Sequence, residues 1–168
     1  MSMPLRTAFV LVPLVLTACS TTGTQGPTAP ATAATPATEE APKVESEAIL
    51  AREQVTDEAS VKHILISWDA LGPTLNGQQD PRASDRSRAE AAKLITELAE
   101  RSENGEDFES LMAEYSEDGG SARSGVAYPV TREAQLAFMF RRIALRLEPG
   151  EQGVVKTNFG YHLVRRVE

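Results

Sequence analysis

Only two side chains in this 168-residue chain have an ordinary pKa close to neutrality, His63 and His162. Both lie inside apolar runs, "VKHILIS" and "FGYHLV", so each is expected on a strand rather than in a loop. Such a pair could be satisfied polar core residues or part of a reactive site, and the residues alone leave both readings open. Zinc is not expected, because two histidines without a close third ligand fall short of the usual set. Asp118, in "YSEDGG", reads locally as a turn aspartate. Leu136 and Phe140 are four apart in a stretch with helical patterning, which gives one apolar face that is either core or a pocket wall. Arg82, Arg86 and Arg88 cluster in or beside a polar loop, where solvated surface is the simpler reading and an anion site the sharper one.

These residues need elements to position them. "VKHILISW" sets Val61, His63, Leu65 and Ser67 against Lys62, Ile64, Ile66 and Trp68, apolar on both sides, as a central strand requires. A loop rich in Gly, Pro, Asn and Asp follows. "SRAE" at Ser87–Glu90 is a capping box opening a helix through Ala91, Leu94, Ile95 and Leu98, stopped by "ENGED". Asp107 caps a second helix burying Phe108, Leu111, Met112 and Tyr115. "EDGGSARSG" reads as a flexible turn, a short strand is expected near Val126–Val130, and a third helix over 131–147. "GVVKT", "NFG" and "YHLVRRV" form a closing hairpin. The order predicts an α+β domain over residues 57–168, with an antiparallel four-stranded sheet, one strand being the weaker inference, and three to four helices.

The front of the chain is of another kind. Residues 1–18 carry Arg6 as their only charge and a short apolar run, a secretory leader too brief to span a bilayer. "LTAC", ending at the single cysteine, Cys19, resembles the bacterial lipobox. That resemblance implies lipid on Cys19, attachment to a membrane and, with Ser20 rather than aspartate next, the outer membrane facing the periplasm. Residues 19–56 are then a tether rich in Thr, Ala and Pro, with a short amphipathic helix through Val44, Ala48, Ile49 and Ala51. A net charge of −7 argues against a nucleic-acid partner.

From residue 57 onward the chain resembles the parvulin-type peptidyl-prolyl isomerases. The matching pieces are "VKHILIS", "SRAEAAKLITEL", "GEDFESLMAEYSEDGGSA", "LEPGE" and "TNFGYHLVRRV", in the family's order. The resemblance implies that the first and last strands are neighbours at the sheet centre, bringing His63 and His162 face to face. It places Asp118 at the family's cysteine-or-aspartate position, and Thr157 as the hydroxyl that bonds the histidine pair. Leu136 and Phe140 become the proline pocket, and Phe159 a further contact. In place of the family's Gly-x-Leu-Gly-x-Phe strand stands "SGVAYPV", so Val126 or Tyr128 is expected to supply the apolar wall. Arginines in "FMFRRIALRL" stand where an acidic pair is more usual. The implied activity is cofactor-free isomerisation of X-Pro bonds in unfolded or extended polypeptides by a monomer; the alternative is a peptide-binding chaperone module on the same fold. An open pocket favours the first, and one plugged by Tyr128 or Phe159 the second.

Overall fold

The computed structural model describes residues 43–168 except Gly77. The expected leader, Cys19 and most of the tether lie outside these residues. The elements in order are α1 (Glu47–Leu50), β1 (Glu58–Ile66), two 3-10 turns (Asp69–Leu75 and Pro81–Ala83), α2 (Arg88–Glu103), α3 (Phe108–Tyr115), α4 (Gly119–Ser124), β2 (Tyr128–Thr131), α5 (Phe138–Ala144), β3 (Gln152–Lys156) and β4 (Tyr161–Arg166). The strands form one antiparallel sheet in the order β2-β1-β4-β3, so the first and last strands do occupy its centre.

Strand alternation sends each face of this sheet to its own core. Ile64, Ile66, Tyr161 and Leu163 pack under α2 and α3, with Ile95, Leu98, Phe108 and Leu111. Val61, Val155 and Val164 pack on the other side with α1 and α5, through Ile49, Leu50, Phe140 and Ile143. The α2 capping box forms as the sequence predicts, Ser87 and Glu90 each bonding the other's backbone N–H.

The structure departs from the sequence reading in three places. Residues 46–56, grouped with the tether, are packed on the domain: Ser46 N–H donates to Val154 O, and Arg52 forms a two-pronged ion pair with Glu151. Gly153 makes room for this, since a Cβ there would meet Ile49 and Ile143 at 2.9 and 3.0 Å. "GGSARS" is a helix, α4, because the Asp118 carboxylate caps it by accepting from Gly120 and Ser121 N–H. The helix expected over 131–147 is confined to Phe138–Ala144. Val130 and Thr131 are taken up by pairing with β1, and the chain then turns until Ala137, whose extended ψ of 131° starts the helix. The weaker strand does form; Pro129 is tolerated because β2 lies at the sheet edge.

Candidate functional site

His63 and His162 leave the sheet on the α5 side, because each shares its face with a valine of that core, Val61 and Val164. Leu65 is the residue opposite His162, which makes the histidines diagonal neighbours, with ring centroids 5.3 Å apart. Phe140 comes down from α5 with its edge on both rings, 5.1 Å from His63 and 5.2 Å from His162. Tyr128, opposite Val61 on β2, stacks on Phe140 at 6.1 Å with 11° between the planes.

The polar contacts form two units. Tyr128 donates its hydroxyl to His63 Nδ1 at 2.9 Å, and the Asp118 carboxylate lies 3.3 Å from His63 Nε2. A carboxylate only accepts, so the ring proton sits on Nε2 and Nδ1 is left to accept from the phenol. Burial, and then the Asp118 charge, pushes the Tyr128 pKa up, which keeps the phenol a donor. Asp118 is held well below the usual carboxylate range, first by His63 and also by the N–H groups of Ser121 and Gly120, so it is ionised at neutral pH. In the second unit His162 Nε2 meets Thr157 Oγ1 at 2.8 Å. Its Nδ1 is buried without a hydrogen-bond partner among the described residues. Burial first, then the neighbouring His63, lowers the His162 pKa to about 3, so this ring is neutral. The resemblance implied a single network through both histidines with Thr157; no hydrogen bond joins the two rings.

Two backbone features fix these groups. The segment before α4 is stitched to the end of β1 by Glu117 N–H on Leu65 O and by Leu65 N–H on Ser116 Oγ, which brings Asp118 over His63. Thr157 opens a tight turn in which Gly160 has φ of +148°; a Cβ there would lie 2.5 Å from Ile66 O, so only glycine lets β4 return this close to β1.

Together these residues line an open concavity of ≈ 180 Å³ formed by His63, Leu65, Asp118, Tyr128, Leu136, Ala137, Phe140, Phe159 and His162. Its floor is aromatic and its rim carries Asp118, whose side chain is 40% exposed. Thr157 lies behind His162. Leu136 does reach the cavity, but from the turn before α5 and not, as expected, from the helix face it was to share with Phe140. Val126 does not reach it: that side chain is 65% exposed, two residues ahead of the strand that carries Tyr128. Sequence reasoning missed Leu65 and Ala137 as lining residues and the Tyr128 hydroxyl as a partner of His63; a phenol in the edge strand was the available signal. Neither Tyr128 nor Phe159 plugs the space.

The three loop arginines are engaged by the protein. Arg82 forks onto Asp80 and reaches the carbonyls of Glu114 and Ser116. Arg86 pairs with Glu117, whose side chain is buried. Arg88 bonds the Tyr161 hydroxyl and lies over the Trp68 ring.

Against known proteins, residues 47–168 match the family described as the PPIC-type PPIase domain. The chain is 36% identical over 114 residues to the chaperone SurA of Chromohalobacter salexigens, covering 67% of this chain and 23% of that one. It is 34% identical over 77 residues to the foldase protein PrsA of Bacillus subtilis, covering 45% and 26%. The chain therefore spans about a quarter of the length of these relatives. In fold it is similar to the peptidyl-prolyl isomerase ESS1 from Candida albicans, with a TM-score of 0.56 at 23% identity, over 67% of this chain and 63% of that one. The chain belongs to the PPIC-type, or parvulin, PPIase domain family.

Proposed function

We propose that this parvulin-family domain catalyses the cis-trans isomerisation of X-Pro bonds in unfolded or extended polypeptides. The observation that carries this reading is the open apolar concavity beneath Tyr128 and Phe140 with one ionised carboxylate on its rim. Rotation about a prolyl bond is slow because twisting costs the amide its resonance, a barrier of about 18–20 kcal/mol. No bond is made or broken, so the site has to grip the ring and favour the twisted amide over the planar one. Leu136, Phe140, Tyr128 and Phe159 form the grip. Amide resonance places negative charge on the carbonyl oxygen; Asp118, held beside it, disfavours that form and so lowers the cost of twisting. His63 is the positioning group for Asp118, and Thr157 holds His162 as part of the floor. No cofactor or metal enters this chemistry.

A second reading has its own support. The similarity to a protein named a chaperone favours a peptide-binding module that uses the same groove with little or no catalysis. Protease-coupled isomerisation of a panel of X-Pro tetrapeptides, measured on the full chain and on folded Asp118→Ala and Phe140→Leu variants, separates the two. Acceleration that falls in the variants supports the enzyme; a folded chain that accelerates none of the panel sinks it in favour of the binding module.

We further propose that the domain works outside the cytoplasm, carried on lipid at Cys19 in the outer membrane facing the periplasm, as a monomer that assists the folding of exported proteins. The leader pattern and the Thr/Ala/Pro-rich stretch support this. Radiolabelled palmitate incorporated by the wild type but not by Cys19→Ser tests the anchor, and label retained in Cys19→Ser refutes it.

A further inference from the structure

The outer face of α5 carries a feature that prolyl isomerisation does not require. Arg132, Phe138, Arg141, Arg142, Leu145 and Arg146 line a concavity of ≈ 290 Å³, and Phe138 is 65% exposed within it. This face is basic in a chain whose net charge is −7, so its sign runs against the whole molecule.

The arginines are anchored but not neutralised. Arg141 Nη1 donates to Ala134 O at 2.7 Å, and Arg142 Nη2 to Leu50 O at 3.0 Å. Arg146 donates to the carbonyls of Arg52 and Arg142. Carbonyl partners fix a guanidinium in place while leaving its charge and several of its five N–H donors unmatched. Among the described residues only Arg132 of this group has an ion-pair partner, Asp57. The nearby Glu151 is taken by Arg52. Burial first, and then the neighbouring charge of Arg142, lowers the Arg146 pKa.

We infer that this face binds a carboxylate-rich stretch of the same polypeptide whose proline occupies the pocket, an inference that rests on the isomerase or peptide-binding reading of that pocket. Continuity favours a polypeptide over a lipid surface. Phe140 of α5, with Leu136 and Ala137 just before it, lines the pocket, while Phe138, Arg141 and Arg142 of the same short helix line the basic face. At 1.5 Å of rise per residue, Phe138 and Arg142 are only about 6 Å apart along the axis. A chain leaving the pocket over the start of α5 crosses the exposed Phe138 ring and meets the arginines at once. Surface charges are screened beyond about 8 Å at physiological salt, so a local basic face can hold an acidic segment in spite of the negative whole.

The test uses fluorescent peptides with one X-Pro core and a four-residue extension of Glu or of Gln on either side, bound to the full chain and read by anisotropy. The Glu extension on one side is expected to bind about tenfold tighter at low ionic strength, with the gain mostly lost at high salt. Arg142→Gln, which leaves the Arg141 bond to Ala134 O and the pocket turn in place, removes most of the gain and leaves the affinity for the Gln peptide unchanged, which also reports that the variant is folded. Equal affinities for Glu and Gln extensions in the wild type overturn the inference. So does Arg142-dependent sedimentation with phosphatidylglycerol vesicles in the absence of any peptide gain, which would assign the face to lipid. A charge-dependent gain without rate acceleration upholds the basic face and sinks catalysis; acceleration of the Gln peptide without the gain does the reverse.

Discussion

Replacing Tyr128 by Phe isolates the hydroxyl that orients His63. The ring contacts survive the change, because the stack on Phe140 at 6.1 Å and the T-shaped contact with His63 at 5.8 Å depend on the ring, which phenylalanine keeps. What goes is the 2.9 Å bond to Nδ1. A typical buried hydrogen bond contributes about 0.5–1.5 kcal/mol, and an acceptor left unpaired costs about 1–3 kcal/mol, so a loss of about 1–2 kcal/mol in urea unfolding is expected. The kinetic effect is separate. Asp118 approaches Nε2 of the same ring, so a ring free to tilt no longer fixes the carboxylate. If 1.4 kcal/mol of that orientation is lost at the transition state, kcat/KM falls about tenfold. Imidazole ¹⁵N spectra supply a readout that a purely structural role would not move: the Nδ1 signal of His63 should shift toward that of an unbonded ring nitrogen. The reasoning is refuted if Tyr128→Phe matches the wild type in both stability and the His63 spectrum, since the hydroxyl would then not be orienting the ring.

Asp118→Asn keeps an N-cap acceptor for α4 whereas Asp118→Ala removes it; Ala should cost about 1 kcal/mol in thermal or urea unfolding, while both variants lose isomerase rate. Phe140→Ala opens a cavity under both histidines and should cost about 3–5 kcal/mol; the smaller change Phe140→Leu stays folded and raises KM in the coupled assay. His162 is neutral when folded, with a pKa of about 3, while an unfolded histidine titrates near 6.5, so between these values the unfolded chain binds the extra proton. Its effect on stability is flat above pH 6.5 and grows unfavourable as pH falls below it, by up to about 1.4 kcal/mol per pH unit; a pH series of urea midpoints should flatten over that range in His162→Gln. Asp118 acts in the same sense lower down, its stabilisation being present above the ordinary carboxylate pKa and lost as pH falls through its depressed folded value.

How far the sequence could be read depended on whether local pattern and tertiary placement agreed. The α2 capping box, the dense strand around His63 and the closing hairpin are set by neighbours in sequence, and they appear as expected. Thr157, Leu136, Phe140 and Phe159 were named from the family pattern, and all four lie at or behind the pocket. The misses share a cause. α4 looks like a turn because two glycines and two serines carry weak helical preference, yet one carboxylate with two N–H partners suffices to start it. The helical pattern over 131–147 is real as hydrophobicity, but β2 claims its first residue and Arg141 holds the following turn through Ala134 O. Val126 and Tyr128 were interchangeable as apolar wall candidates; strand register decides between them, by pairing Tyr128 with Val61 and leaving Val126 outside.

The two histidines, alike in sequence, are unlike in chemistry, and the difference bears on what the site can do. His63 is tied at both nitrogens, between a phenol that donates and a carboxylate that accepts. His162 is tied at one, and its other nitrogen is buried with no partner among the described residues. A proton relay between them has no path, because no hydrogen bond joins the rings and because burial and the neighbouring His63 both oppose charging His162. Nothing in prolyl isomerisation calls for such a relay. What the reaction needs is a dry floor that stays uncharged beneath the proline ring and one fixed negative group at the rim. On the proposed isomerase reading, a neutral, buried His162 against Phe140 would supply the floor, and His63, clamped by Tyr128, the fixed seat for Asp118.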